Sequence, residues 1–249
     1  MPRDRHRPFY QAMAVRTQTR VSPTNLLLTA LPPREYKRLA PHLELVSFAA
    51  KHALYPPSKA ITHVYFPENA VIPIVLCLKD GRTTEVGMVG NEGFVGIHAL
   101  FGDSVIPYHC FTLIGGNAYR IPADRLLVEF KRGGMLQDIL LGYTQARLSQ
   151  FAQISACNCL HPLDKRVCRW LLMVHDRSML DELSLTQEDI ARVLGVRRTG
   201  VTEAVGSLQQ KKLISYRYGR ITIRNRKRLE RATCECYGII NSGFNHLPG

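Results

Sequence analysis

The stretch Leu185–Val205, "LTQEDIARVLGVRRTGVTEAV", restricts the fold of this chain more than any other. Thr186 has the side chain of a helix N-cap, and Asp189 three residues on, with Glu188 beside it, favours the positive end of the helix dipole. The helix runs to Leu194 with Ile190, Ala191 and Leu194 on its inner face, and Gly195 ends it where the chain needs a positive φ. A second helix begins near Arg197 and turns Val201, Ala204, Val205 and Leu208 inward. Small Ala191, flexible Gly195 and apolar Val201 lie at the spacing of two helices crossing closely around a short turn. An ordinary helical hairpin in a core shares part of this pattern.

The polar residues of the second helix distinguish the two readings. Arg197, Arg198, Thr199, Thr202 and Glu203 cluster in its first two turns, the end that a helix-turn-helix points into the major groove. An arginine there can donate two hydrogen bonds to guanine O6 and N7. On a merely solvated face, two adjacent arginines at a positive dipole end are unfavourable. Downstream, "KKLISYRYGRITIRNRKRLERA" predicts a small hairpin: Leu213–Arg217 and Arg220–Ile223 alternate like strands around Tyr218-Gly219. Seven basic residues and one acidic residue lie between Arg217 and Arg231. Arg217, Arg220 and Arg224 of this wing are candidates for the DNA backbone, where contacts position a protein without reading sequence.

Charge is distributed to match. The net charge of +13 over 249 residues divides unevenly. Residues 1–20 hold five Arg against one Asp, residues 21–160 twelve basic against ten acidic side chains, and residues 161–249 sixteen against nine. A cationic module beside a near-neutral one suits counterion release from a phosphate backbone. Apolar content of 45% fits a folded protein. No run of eighteen apolar residues and no signal-peptide core occur, so no membrane partner and a cytoplasmic location are expected.

The rest of the chain supplies the setting. Residues 1–20 are expected to be a basic disordered tail, and "SPTNLLLTALPPREYKRLAPHL" short helical pieces broken by prolines. From about Val46 to Ile121, short apolar runs separated by turn signals such as Asp80-Gly81 predict a small antiparallel barrel or sandwich. Met135–Leu160 reads as one helix of about 39 Å. Leu141, Leu148 and Phe151 recur on it near heptad spacing, which suits either a dimer seam or packing on the chain's own barrel. Pro162 then starts a further helix.

Barrel, long helix and winged helix-turn-helix in this order, with "LTQEDIARVLGVRRTGVTEAVGSLQQKKLI", resemble the Crp/Fnr family of bacterial transcription regulators over roughly residues 25–235. The resemblance implies an α+β chain: a cyclic-nucleotide-binding-like β-roll (21–134), a dimerisation helix (135–161), a winged helix-turn-helix (162–235) and a C-terminal tail (236–249). It implies a homodimeric regulator binding double-stranded promoter DNA through Arg198 and its neighbours, with RNA polymerase as a further partner. The family's recognition helix carries Arg-Glu and a second Arg four positions on; here Arg198 matches the first Arg, while Thr199 replaces the Glu and Glu203 the second Arg, so the half-site differs. The family's phosphate-binding cassette is degenerate: Gly96 matches its Gly, but Ile97 replaces the ribose-binding Glu, His98 follows, and its Arg-Ser position falls near Ile106-Pro107. No Arg occurs from Val86 to Tyr119, although Arg120 and Arg125 lie just beyond. An anionic phosphate buried there would lack a cation. Cyclic AMP or GMP in the usual pose is therefore not expected, and the cofactor is none or an unknown small-molecule effector.

Seven cysteines remain. Cys157, Cys159, His161 and Cys168 form a metal set on paper, but helix positions i and i+2 diverge by about 200°, so buried thiols and no metal are expected there. Cys234 and Cys236 read as a packed pair or a redox pair. A redox- or metal-sensing nucleic-acid binder and an RNA-binding protein are the alternatives. The family's iron–sulfur branch has an N-terminal cysteine cluster that residues 1–76 lack, and haem ligation by a histidine has no supporting motif. An enzyme is not expected: "VGNEGFVG" is no Walker pattern, and no catalytic triad or carboxylate pair stands out.

Overall fold

The computed structural model of the chain describes residues 16–17, 22–55, 60–102 and 108–245. Strand β1 (Arg16–Thr17) pairs antiparallel with β2, so part of the tail expected to be disordered over residues 1–20 lies on a sheet edge, where β2 offers free backbone groups. The rest of that tail lies outside the described residues. Helices α1 (Leu26–Thr29) and α2 (Pro33–Leu39) and a 3₁₀ turn (Ala40–His42) follow, broken at the prolines as expected. The fully buried Asn25 caps α1 through Leu27 N and Leu28 N and donates to the carbonyls of Pro67 and Gly93, tying this segment to the barrel.

The barrel consists of two antiparallel sheets. One has the order β1-β2-β7-β3, from β2 (Glu44–Phe48), β3 (His63–Pro67) and β7 (Gly116–Pro122). The other has the order β5-β4-β6, from β4 (Ile72–Cys77), β5 (Thr83–Val89) and β6 (His109–Cys110). Asp80-Gly81 makes the β4–β5 turn, with Gly81 at φ +83°.

Helix α3 (Ala123–Lys131) leads through Gly133 and Gly134 into α4 (Met135–Leu160). The Glu35 carboxylate of α2 accepts from Met135 N and Leu136 N and so caps α4, a long-range contact that no local pattern reveals. The inner face of α4 carries Leu136, Ile139, Leu140, Tyr143, Ile154 and Cys157. His161 is extended ahead of Pro162, the N-cap of α5 (Leu163–Ser178). Strand β8 (Glu182–Ser184), α6 (Gln187–Leu194), α7 (Arg198–Gln210), β9 (Ile214–Arg217), β10 (Arg220–Ile223) and α8 (Arg226–Ala232) complete the winged module. The wing sheet has the order β8-β10-β9, and β8 is a strand the sequence pattern did not reveal.

The C-terminal tail expected from residue 236 is instead helix α9 (Cys236–Phe244), packed on α4 and α5. Cys236 and Ile240 are buried, and the Phe244 ring meets Tyr143 at 6.0 Å, so apolar burial orders the segment. Two apolar cores result. One fills the barrel together with the start of α4. The other joins α5, α6, α7 and the wing to Val71, Val75, Met88 and Phe111. The β5-β4-β6 sheet therefore serves both cores, and the barrel and the winged module share a wall.

Candidate nucleic-acid interface

Thr186 and Asp189 form a reciprocal capping box: Asp189 N donates to Thr186 Oγ1 (3.1 Å), and Thr186 N to Asp189 Oδ2 (3.0 Å). Gly195 ends α6 at φ +68°. Ile190, Ala191, Leu194, Val201, Ala204, Val205 and Leu208 are all buried, as their spacing predicted. Arg197 is the N-cap of α7; Arg198, Thr199, Thr202 and Glu203 follow on its first two turns, and all five are exposed. Thr202 is engaged within the motif: its Oγ1 lies 2.7 Å from Gln187 Oε1 and 3.1 Å from the Arg198 carbonyl. It braces α7 against α6, while Arg198, Thr199 and Glu203 face solvent. Gln187 is a residue of this surface that sequence reasoning missed.

The wing arginines divide. Tyr218 (φ +50°) and Gly219 (φ +76°) form a turn of the kind that two-residue hairpins use. Arg217 stacks its guanidinium on Tyr218 at 5.0 Å, and Arg224 Nε donates to Ser215 Oγ at 3.2 Å. Arg220 is bound to Glu182 of β8 at 2.5 Å, which neutralises part of its charge. Arg226, counted among the basic residues of this region, pairs with Asp176 and Glu230 and anchors α8. Among the described residues no ion pair holds Arg197, Arg198, Arg217 or Arg224.

The motif is docked on the barrel. Thr83 Oγ1 donates to the Arg192 carbonyl at 2.6 Å, and a Cβ on Gly195 would lie 2.6 Å from the Thr83 carbonyl oxygen. Lys51 Nζ reaches Asp189 Oδ1 at 2.7 Å. Burial alone would push the Asp189 carboxyl up, but the hydrogen bonds from Lys51 and Thr186 outweigh it and hold the group below its ordinary value. Deeper in the shared wall, Trp170 Nε1 donates to Glu85 Oε2 at 2.7 Å. Burial pushes the Glu85 carboxyl to about 7, against the pull of Arg169 and the Trp170 hydrogen bond. Sequence spacing offers no sign of these contacts, because their partners lie about a hundred positions apart.

Among the described residues, the barrel cassette from Gly96 to Phe101 carries no arginine or lysine. Gly96 adopts φ +109°, and a Cβ there would meet the Tyr55 hydroxyl at 2.7 Å. Ile97 opens a short 3₁₀ helix to Phe101, and His98 Nδ1 lies 2.9 Å from Tyr108 Oη. Ile106 and Pro107 lie outside the described residues. Arg120 shares a sheet face with Tyr65, but Glu44 takes its guanidinium at 2.7 Å. Arg125 is exposed near Asp124. A buried cation comes instead from α4: Arg147 Nη1 donates to the Met88 carbonyl at 2.7 Å and to Gln150 Oε1, while among the described residues its Nε and Nη2 find no hydrogen-bond acceptor.

Of the residues expected at a seam, Leu141 and Leu148 are 44% and 62% exposed on α4. Phe151 is partly buried and follows the second of the two readings: it packs on the chain's own barrel core and under the Arg147 guanidinium at 4.9 Å. Cys159 is exposed and Cys168 is buried in the core of the winged module, so the paper set around Cys157 does not assemble. Cys157 and His161 instead meet Cys234 and Cys236.

Comparison with known proteins bears on this geometry. Residues 165–232 match the family model of the Crp-like helix-turn-helix domain. A search of curated protein sequences found no match. Among solved structures, the fold matches a Crp/Fnr-family protein from Eubacterium rectale with a TM-score of 0.65 and 19% identity, covering 83% of this chain and 96% of that one. It matches FixK2 from Bradyrhizobium japonicum (TM-score 0.63, 16% identity, 77% and 98% covered). It also matches CLP, described as a c-di-GMP responsive global regulator of Xanthomonas campestris (TM-score 0.62, 17% identity, 77% and 99% covered).

Proposed function

We propose that this chain, with a Crp-like helix-turn-helix domain at residues 165–232 on a Crp/Fnr-type fold, reads promoter DNA as a homodimer and is not an enzyme. One observation carries the reading: the first turn of α7 presents exposed Arg198 and Thr199 on a braced helix pair, with Arg197 at its N-cap. That arrangement offers donors to base edges at the end of the helix that enters a major groove. Glu203 on the next turn would favour cytosine N4 as a partner. Arg217 and Arg224 would follow the backbone beside it, with Arg220 contributing less because Glu182 already holds it.

The exposed Leu141 and Leu148, seven positions apart, support a seam with a second copy along α4. Such a dimer would place its two reading helices at half-sites about 34–36 Å apart. RNA polymerase is a further partner under this reading, and the location is the cytoplasm. The barrel would take no cyclic nucleotide in the usual pose, since Ile97 offers the ribose no carboxylate and Glu44 neutralises Arg120.

Genome-wide mapping of bound DNA is the decisive experiment. A palindromic site with half-sites one helical turn apart is the expected result. Enrichment of transcripts rather than duplex sites, or a non-palindromic site bound by a monomer in sedimentation, would overturn the reading.

A further inference from the structure

Cys157, Cys234 and Cys236 form a buried cluster of their own, apart from both apolar cores. Cys157 Sγ lies 3.6 Å from Cys234 Sγ, too far for a disulfide. Cys236 Sγ lies 3.5 Å from His161 Nδ1, and the four ligand atoms all fall within 4.8 Å of one another. A tetrahedral zinc ion with bonds of about 2.0–2.3 Å would place its ligand atoms roughly 3.5–3.8 Å apart. The two shortest separations already match the edges of that tetrahedron.

Local structure explains the convergence. Cys157 and His161 are four residues apart at the end of α4, on one face, and His161 N still donates to the Cys157 carbonyl at 3.1 Å. Cys234 and Cys236 straddle Glu235, the N-cap of α9, so this i, i+2 pair lies on a turn and escapes the divergence that separates Cys157 from Cys159 within a helix. The surroundings are those of a ligand set. Gln153 Nε2 donates to Cys236 Sγ at 3.0 Å, and His161 Nε2 faces Glu235 Oε1 at 3.4 Å, leaving Nδ1 directed at the cluster. Metal-bound histidines characteristically give their other ring nitrogen to such a carboxylate.

We infer that Cys157, His161, Cys234 and Cys236 bind one zinc(II) ion that fastens α9 to the end of the coupling helix α4. Three sulfurs and one imidazole nitrogen suit a soft, tetrahedral site. Four protein ligands leave no open position, so the ion is structural, not catalytic. Binding displaces three thiol protons to solvent, and neither the metal nor the sulfur changes oxidation state. The assignment does not depend on the DNA-binding reading.

The test uses the full chain purified under reducing conditions, stripped with a chelator and titrated with cobalt(II) and then zinc(II). One cobalt per chain, with the absorption of tetrahedral thiolate coordination and displacement by one zinc, is expected. Cys236→Ser and Cys234→Ser should each weaken binding by more than the 10–100-fold typical of a lost outer-shell partner, and Gln153→Leu by about tenfold. Cys159→Ser, at an exposed position, should bind as the parent does. Zinc should raise the melting temperature of the stripped parent, which keeps the test informative if a variant folds poorly. Absence of thiolate–cobalt absorption in the parent, equal binding by Cys236→Ser, or a Cys157–Cys234 disulfide that persists under the reducing conditions while the chain takes up no metal would overturn the inference.

Discussion

The winged module and the barrel are built on opposite relations between sequence and chemistry. In the module, the residues that make the fold and those that offer the chemistry alternate along one short segment. Thr186, Gly195 and the buried Ile190, Val201 and Val205 set the helices, and Arg198 and Thr199 then face outward because of where those helices begin. In the barrel the fold persists while the cassette carries Ile97 and a glycine-held turn, and its nearest cations are occupied or arrive from another element. The two can vary separately, because apolar packing sets a scaffold and a few polar side chains set its pocket chemistry.

The largest effect that would sharpen this contrast belongs to Gly195→Ala. Left-handed strain of about 1–3 kcal/mol adds to a collision of the new Cβ with the Thr83 carbonyl 2.6 Å away. A fall in melting temperature is expected, and an unchanged melting curve would mean that the turn is not seated on β5. Arg198→Ala should cost about 1–3 kcal/mol at the specific site and relax one base preference. Arg224→Ala should weaken all sequences alike and lower the salt slope by about one. Titration by fluorescence anisotropy at several salt concentrations separates the two, and equal loss of specificity from both would break the division between reading helix and wing.

A smaller effect tests the shared wall. The Glu85 carboxyl is pushed from 4.5 to about 7 by burial, so the native state binds this proton more tightly than the unfolded chain does. Its contribution is fully present below pH 4.5, declines as pH rises toward 7 and is constant above that. Glu85→Gln keeps an acceptor for Trp170, and melting curves across that range should show a shallower decline than in the parent. An unaltered pH dependence would mean that Glu85 is charged and compensated in the native state. The smallest expected effect is none at all. A ligand at a hundred times its Kd stabilises the native state by about 2.7 kcal/mol. Millimolar cyclic AMP or cyclic GMP should produce no thermal shift; a saturable shift would show that Arg147 or another cation serves the pocket.

What was legible in the sequence was set by neighbours within a few positions. Capping, a positive-φ glycine and 3.6-residue periodicity act through bonds that close within one or two turns, so α4, α6, α7 and the wing hairpin could be read directly, and Arg198 with them. Tertiary structure alone decided the rest, because it depended on which distant groups meet. Phe151 found the chain's own barrel core, Arg220 found Glu182, and residues 236–244 became a helix once α4 and α5 offered an apolar surface. The same holds for the thiols. Spacing within α4 sets the exposed Cys159 apart from the buried Cys157, but Cys234 stands 77 positions away from Cys157, and only the folding of α9 onto α4 brings those sulfurs together. Local periodicity carries no information about such a meeting, since the energy that enforces it is the burial of surfaces far apart in the chain.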